Sequence, residues 1–173
     1  MSVAYSPNGQ HIISVSIDST IRVWDAETSA AIGKPLEGHV GGVRSVAYFH
    51  DGRHIISGSQ DCTIQISDIK TGAAVGKPLE GHTNTVVSVA YSPNGQYIIS
   101  GSDDMTIRIW NAETGAAVGK PLKGHTRFVA YSPDGKNIIS RSQDTTIQIW
   151  NVETGYQTSK GAQSPCAVRC VLS

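Results

Sequence analysis

Val86-Val-Ser-Val-Ala-Tyr91, Ser92-Pro-Asn-Gly95 and Tyr97-Ile-Ile-Ser-Gly101 follow one another near the middle of the chain, and they decide how the rest is read. The first run is rich in β-branched residues and predicts a strand. The second predicts a tight reversal, with Pro at the second turn position and Gly where a positive φ is needed. The third predicts the returning strand. Asp103-Asp104 then turns the chain into Thr106-Ile-Arg-Ile-Trp110, where polar and apolar residues alternate as a half-buried strand requires. Glu113-Thr-Gly115 turns it once more, and Ala116 to Leu122 runs extended. No stretch carries an apolar period of 3.6 over ten residues. The expected unit is a small antiparallel sheet of four strands.

Outward from that unit, the text repeats. Gly38-His39, Gly81-His82 and Gly124-His125 stand 43 residues apart, and residues 38–80 match 81–123 at about 26 of 43 positions. The second-strand text recurs from His11, His54, Tyr97 and Asn137, and Asp-x-Thr-Ile begins at Asp18, Asp61, Asp104 and Asp144. Such self-similarity marks tandem duplication. The last interval shrinks to 40 residues, because Thr-Arg-Phe-Val-Ala after His125 replaces a longer segment. The expected units are 1–37, with an incomplete start, 38–80, 81–123 and a shortened 124–160. The tail, 161–173, contains Ala167-Val-Arg-Cys-Val171, which resembles the first strand of a further unit. A sheet this small cannot bury both faces alone, so the units are expected to stack face to face. Twisted sheets stacked radially form a propeller.

Composition narrows the job. The 173 residues hold 14 Lys plus Arg against 14 Asp plus Glu, a formal charge of zero. Nucleic acid is not an expected partner, since phosphate calls for surplus cations, and neither is a polybasic membrane contact. Hydrophobic residues at 39% against 16% charged exclude a disordered chain. No apolar run approaches the ~20 residues that span a bilayer. The opening Met1-Ser-Val-Ala-Tyr5 has neither region of a secretory signal, so an intracellular place is expected, the cytoplasm ahead of the nucleus. Cys62, Cys166 and Cys170 are odd in number and read as reduced thiols. The lone Cys166/Cys170 spacing is a weak metal signal, and no metal or cofactor is expected.

The Gly-His pairs, the Ser-Gly-Ser-x-Asp text and the pairs Trp24-Asp25, Trp110-Asn111 and Trp150-Asn151 resemble the WD repeat over roughly residues 1–155. The closeness of the repeats and the phrase Ala-Val-Gly-Lys-Pro-Leu-Glu-Gly-His also resemble fungal tandem WD-repeat proteins, some attached to NACHT-type receptors. The resemblance implies an all-β propeller of four-stranded blades, four of them here, forming a partial or open ring. It also implies a hydrogen-bonded tetrad in each blade: His82, Ser100, Asp104 and Trp110 in blade 3, and His125, Ser140, Asp144 and Trp150 in blade 4. Blade 2 has His39, Ser57 and Asp61, but Ser67 where Trp belongs. Blade 1 has Ser14, Asp18 and Trp24 without a histidine. A buried Trp lost typically costs ~3–5 kcal/mol, so blade 2 is expected to be the soft one. Arg141 also stands where blades 2 and 3 have Gly.

Serine, histidine and aspartate together invite a catalytic reading. Recurrence at the repeat period, with a Trp whose only polar act is N–H donation, argues for structure instead. His11, His50 and His54 lack ligand spacing, and no phosphate-binding or zinc-protease motif occurs. No enzyme activity is expected. Three readings of the ring stay open: part of a longer propeller, pairing with a second copy to reach eight blades, or, ranked last, four blades closing alone. The first two leave apolar end faces bare, so self-association or further blades are expected. The expected function is a scaffold for other proteins, the sensing part or a fragment of a larger receptor-like protein. A propeller binding glycans or small molecules is the alternative. By analogy with the family, partner-binding candidates are Ile17, Gln60, Asp103 and Gln143 beside the tetrad aspartates. Arg44, Asn84, Val87 and Arg127, at the start of each first strand, join them.

Overall fold

The hairpin text that occurs four times folds four times. A computed structural model of the chain describes residues 2–124, 127–141, 146–154 and 157–161. Among them every regular element is a strand. Blade 1 is β1 (Val3–Tyr5), β2 (His11–Val15), β3 (Ile21–Asp25) and β4 (Ala31–Leu36). Blade 2 holds β5 (Val43–Tyr48), β6 (His54–Ser59) and β7 (Ile64–Asp68). Blade 3 is β8 (Val86–Tyr91), β9 (Tyr97–Ser102), β10 (Thr106–Asn111) and β11 (Ala117–Lys123). Blade 4 is β12 (Phe128–Tyr131), β13 (Asn137–Arg141), β14 (Ile147–Asn151) and β15 (Gln157–Gly161). Each sheet is an antiparallel meander in chain order. The β8–β9 reversal turns at Gly95, whose φ of +69° a side chain would resist.

One expectation needs correcting. Blade 2 has three regular strands, not four. Its fourth segment touches β7 only through isolated bridges, Ile64 to Leu79 and Ser67 to Ala74. Residues 73–79 and 116–122 share the sequence Ala-Ala-Val-Gly-Lys-Pro-Leu, while the strands beside them differ. There Ser67 stands opposite Ala74, where blade 3 has Trp110 opposite Ala117.

The paired isoleucines of the second strand explain the stacking. The first of each pair faces the preceding blade and the second faces the following one, because neighbouring side chains in a strand point to opposite sides. Ile13, Val15, Ile21, Val23 and Leu36 of blade 1 thus form one core with Val43, Val46 and Ile55 of blade 2. Ile56, Ile64 and Leu79 meet Val86, Val89, Ile98 and Trp110 across the next junction. Ile99, Ile107 and Ile109 meet Val129, Ile138 and Trp150 across the third. Hydrogen bonds cross as well: the Val89 N–H donates to Ser45 Oγ, and the Val129 N–H to Ser88 Oγ, both at 3.1 Å. Among the described residues no such core joins blade 4 to blade 1, and the arc is open. Its ends show it. Val3 and Tyr5 on the rear of blade 1 are 71% and 67% exposed, while Val46, Val89 and Val129, which hold the place of Val3, are buried. Ile139 on the front of blade 4 is 39% exposed, against 0% for Ile13, Ile56 and Ile99. The tail resemblance at Ala167 to Val171 and the pair Cys166 and Cys170 lie outside the described residues.

Candidate functional site

The Gly-His text lies just ahead of each first strand, so the histidine reaches down into its own sheet. His82 is buried there between Ser100 on β9 and Asp104 in the β9–β10 turn. Its Nδ1–H donates to Asp104 Oδ2 at 2.7 Å, and its Nε2 accepts from the Ser100 hydroxyl at 2.7 Å. The Trp110 indole N–H donates to the same hydroxyl oxygen at 2.9 Å. This is the one proton arrangement in which every donor meets an acceptor. Burial holds His82 below its ordinary pKa, outweighing the pull of Asp104, and leaves the ring neutral at pH 7. Burial raises the Asp104 carboxyl, but hydrogen bonds from Thr106, His82 and the Thr83 N–H overcome it and bring the pKa to about 2. The carboxylate therefore stays charged and fixes the imidazole.

Blade 2 repeats the inner part. His39 sits 2.8 Å from Asp61 Oδ2 through Nδ1 and 2.8 Å from Ser57 Oγ through Nε2, with no indole beyond. Hydrogen bonds from Thr63 and His39 pull the Asp61 carboxyl below its ordinary range, although burial opposes them. Blade 1 repeats the outer part: the Trp24 N–H donates to Ser14 Oγ at 2.8 Å, and Asp18 Oδ1 accepts from Thr20. In blade 4 the Trp150 N–H donates to Ser140 Oγ at 3.0 Å, while His125 and Asp144 lie outside the described residues. His, Ser and Asp thus meet in blades 2 and 3, and Ser and Trp meet in blades 1, 3 and 4, while Asp18 is held by Thr20 instead.

Three kinds of contributor escaped sequence reading. Thr63 and Thr106 donate through N–H and hydroxyl to the tetrad aspartate, with hydroxyl distances of 2.7 Å. The Asp-x-Thr recurrence was the available signal. Ser45 and Ser88 tie adjacent blades, a contact no local pattern announces. Gly58 is the third: a Cβ there would lie 2.6 Å from Val86 Cγ1 and 3.0 Å from Val89 Cγ1, so its small size lets the next blade close up.

The partner-binding candidates divide by burial. Gln60, Asn84, Asp103, Arg127 and Ile17 are exposed in turns and strand approaches. Arg44 and Val87 sit half-buried where β5 and β8 slip register, between Val43 and Ser45 and between Val86 and Ser88. Bulges of this kind turn one side chain out of the ladder. In blade 4 Phe128 pairs with Arg141, as Ser88 pairs with Gly101 in blade 3. Gln143 lies outside the described residues. Among the described residues no group of His, Cys, Asp and Glu is placed to hold a metal ion, and no helix is long and apolar enough to cross a membrane.

The pattern of the WD domain, G-beta repeat matches residues 1–25, 32–68, 74–111 and 117–151, well over half of the chain. The chain belongs to the WD40 repeat family. Each WD40 match ends at a third strand, at Asp25, Asp68, Asn111 or Asn151, and the later three begin in or beside the outer strand of the blade before. The sequence repeat therefore straddles the junction and links one blade to the next. WD40 repeats in general mediate contacts between proteins. No match was found among curated proteins.

Proposed function

We propose that this WD40 chain is a non-catalytic scaffold that holds other proteins, as the sensing part of a larger receptor-like protein. One observation carries the reading: the residues that look reactive are consumed inside the sheets. Ser57 and Ser100 are 1% and 0% exposed, and both hydroxyls are spent on histidine. A nucleophile needs an open approach and an oxyanion site, and these have no approach. What meets solvent is a set of unlike loop residues at equivalent places: Ile17, Gln60 and Asp103 beside the aspartates, and Asn84 and Arg127 ahead of the first strands. A rigid frame with variable loops suits recognition. Within this reading the chain works inside the cell, the cytoplasm ahead of the nucleus, with its end faces covered by self-association or by further blades.

A glycan or small-molecule reading finds less support. The groove between blades 1 and 2, about 1130 Å³, is lined by Val23, Ile32, Leu36, Lys34, Arg53 and Lys70 among others, with no Phe, Tyr or Trp to stack on a sugar, and the groove between blades 3 and 4 offers only the half-buried Tyr97 and Tyr131. The test compares proteins captured by the chain with those captured by a Gln60→Arg, Asp103→Arg variant. Loss of specific proteins from the variant supports the scaffold. Equal capture by both, or no protein capture together with saturable binding on a glycan array, overturns it.

A further inference from the structure

Each of the three junctions carries a groove at the same place, between the outer segment of one blade and the turn after the third strand of the next. Their volumes are about 1130, 190 and 740 Å³ in chain order. The second is narrowed by Phe49, whose ring lies 4.7 Å from that of Tyr91, whereas blade 1 has Ser6 in the place of Phe49. Tyr97 and Tyr131 stand in the third. The first groove also differs in charge. Lys70 stands where the other blades have Glu27, Glu113 and Glu153, so the carboxylate that lines the second and third grooves becomes an ammonium in the first.

Val23 and Leu36, both buried, form an apolar floor, and Ile32 of blade 1, 40% exposed, and Ile69 of blade 2 extend it. Lys34, Arg53 and Lys70 are exposed around that floor, and Glu37 is the one carboxylate of the lining. The Arg53 Nε–H donates to Asp68 Oδ2 at 2.6 Å, which leaves both Nη groups for another acceptor. Among the described residues neither Lys34 nor Lys70 has an ion-pair partner. In a chain of zero formal charge, this surplus of cations is local. The outer edge of β4 invites no added strand, because Gly33 at a φ of +68° and Pro35 break its ladder. A ligand here meets side chains.

We propose that the groove between blades 1 and 2 takes an extended acidic peptide of a partner protein, its carboxylates on Lys34, Arg53 and Lys70 and its aliphatic side chains on the apolar floor. The proposal rests on the scaffold reading and gives it a surface and a ligand class. Successive side chains of an extended peptide point to opposite sides, so acidic and aliphatic residues in turn reach the rim and the floor. Charge-assisted bonds from guanidinium or ammonium to carboxylate are the stronger ones, and more so where apolar surface excludes water. A nucleic acid would meet the cations but leave the floor uncovered, and it needs a longer run of positive charge. The second and third grooves, with Glu113 and Glu153 in the place of Lys70, repel the same peptide.

The test selects dodecapeptides from a random display library on the whole chain and measures the enriched ones by fluorescence anisotropy. Expected are sequences that join Asp or Glu to Leu, Ile or Val, with amide shifts on binding centred on Ile32, Lys34 and Lys70. Lys70→Glu gives blade 2 the residue that the other three blades carry, so folding is retained, and binding weakens roughly tenfold. Ile32→Ser weakens it as well, with circular dichroism unchanged. Neutral or basic sequences, no enrichment, or equal affinity for the Lys70→Glu chain overturn the proposal. So does binding of phosphatidylserine vesicles that Lys70→Glu abolishes, since the groove then takes anionic surfaces in general. Gly52 and Gln60 lie at opposite ends of β6. The loop variants that judge the scaffold reading therefore leave this measurement unmoved, and its failure leaves theirs standing.

Discussion

A buried histidine between a carboxylate and a hydroxyl makes the fold sensitive to acid, and the sign follows from which state binds the proton more readily. His82 is held below its ordinary value of 6.5, so the unfolded chain takes up that proton first. Its stabilisation is complete above pH 6.5 and is lost as pH falls through the depressed folded value. Asp104 runs the same way at lower pH: its contribution is full above 3.8 and disappears towards about 2. Acid should therefore weaken the fold in two stages. Urea midpoints followed downward from neutral pH are expected to drop below 6.5 and again below 3.8, with His82→Gln flattening the first stage. A midpoint that holds steady between those values would refute the account. The spacing of the repeat made the His, Ser, Asp and Trp legible. It left Thr106 unread, because a threonine after Asp-x looks like ordinary turn chemistry until its hydroxyl is seen on the carboxylate.

Elements show where local text stops deciding structure. Ala-Ala-Val-Gly-Lys-Pro-Leu is a regular strand in blade 3 and a broken one in blade 2, with the same residues throughout. The difference is a neighbour. Trp110 pairs with Ala117 and is 2% exposed, while Ser67 meets Ala74 through a single bridge. The missing Trp singles out blade 2 in the sequence, yet nothing in the repeat text says that its outer strand is the irregular one. The converse change tests this. Trp110→Ser is expected to cost ~3–5 kcal/mol, as large-to-small core changes do. It should also speed amide exchange at Val118 and Leu122 more than at Ile98 or Ile99. If β11 keeps its protection while global stability falls, the indole fills the core without ordering the strand.

At the scale of the molecule, four sheets share three cores, so cover is unequal. Blades 2 and 3 are packed on both sides, and blades 1 and 4 on one. The small size of each sheet made the stacking readable, but not the asymmetry of the ends: Arg141 and Phe128 replace a glycine and a serine whose roles appear only once the next blade is seen lying on them. In a stacked array, stability is close to a sum of unit and junction contributions, and opening follows local cover. The chain alone should therefore open from its ends inward. Hydrogen exchange is expected to be slowest in β6, β8 and β9, and faster by one or more orders of magnitude in β1 and β12, since each is flanked by a single junction. Gly58→Ala presses a methyl group against Val86 and Val89, an overpacking that costs about 1–3 kcal/mol. It should erase the advantage of the middle by loosening the one junction shared by both inner blades. Uniform protection across all four sheets, unchanged by that substitution, would mean that the arc unfolds as one body and that its bare faces exact no local cost.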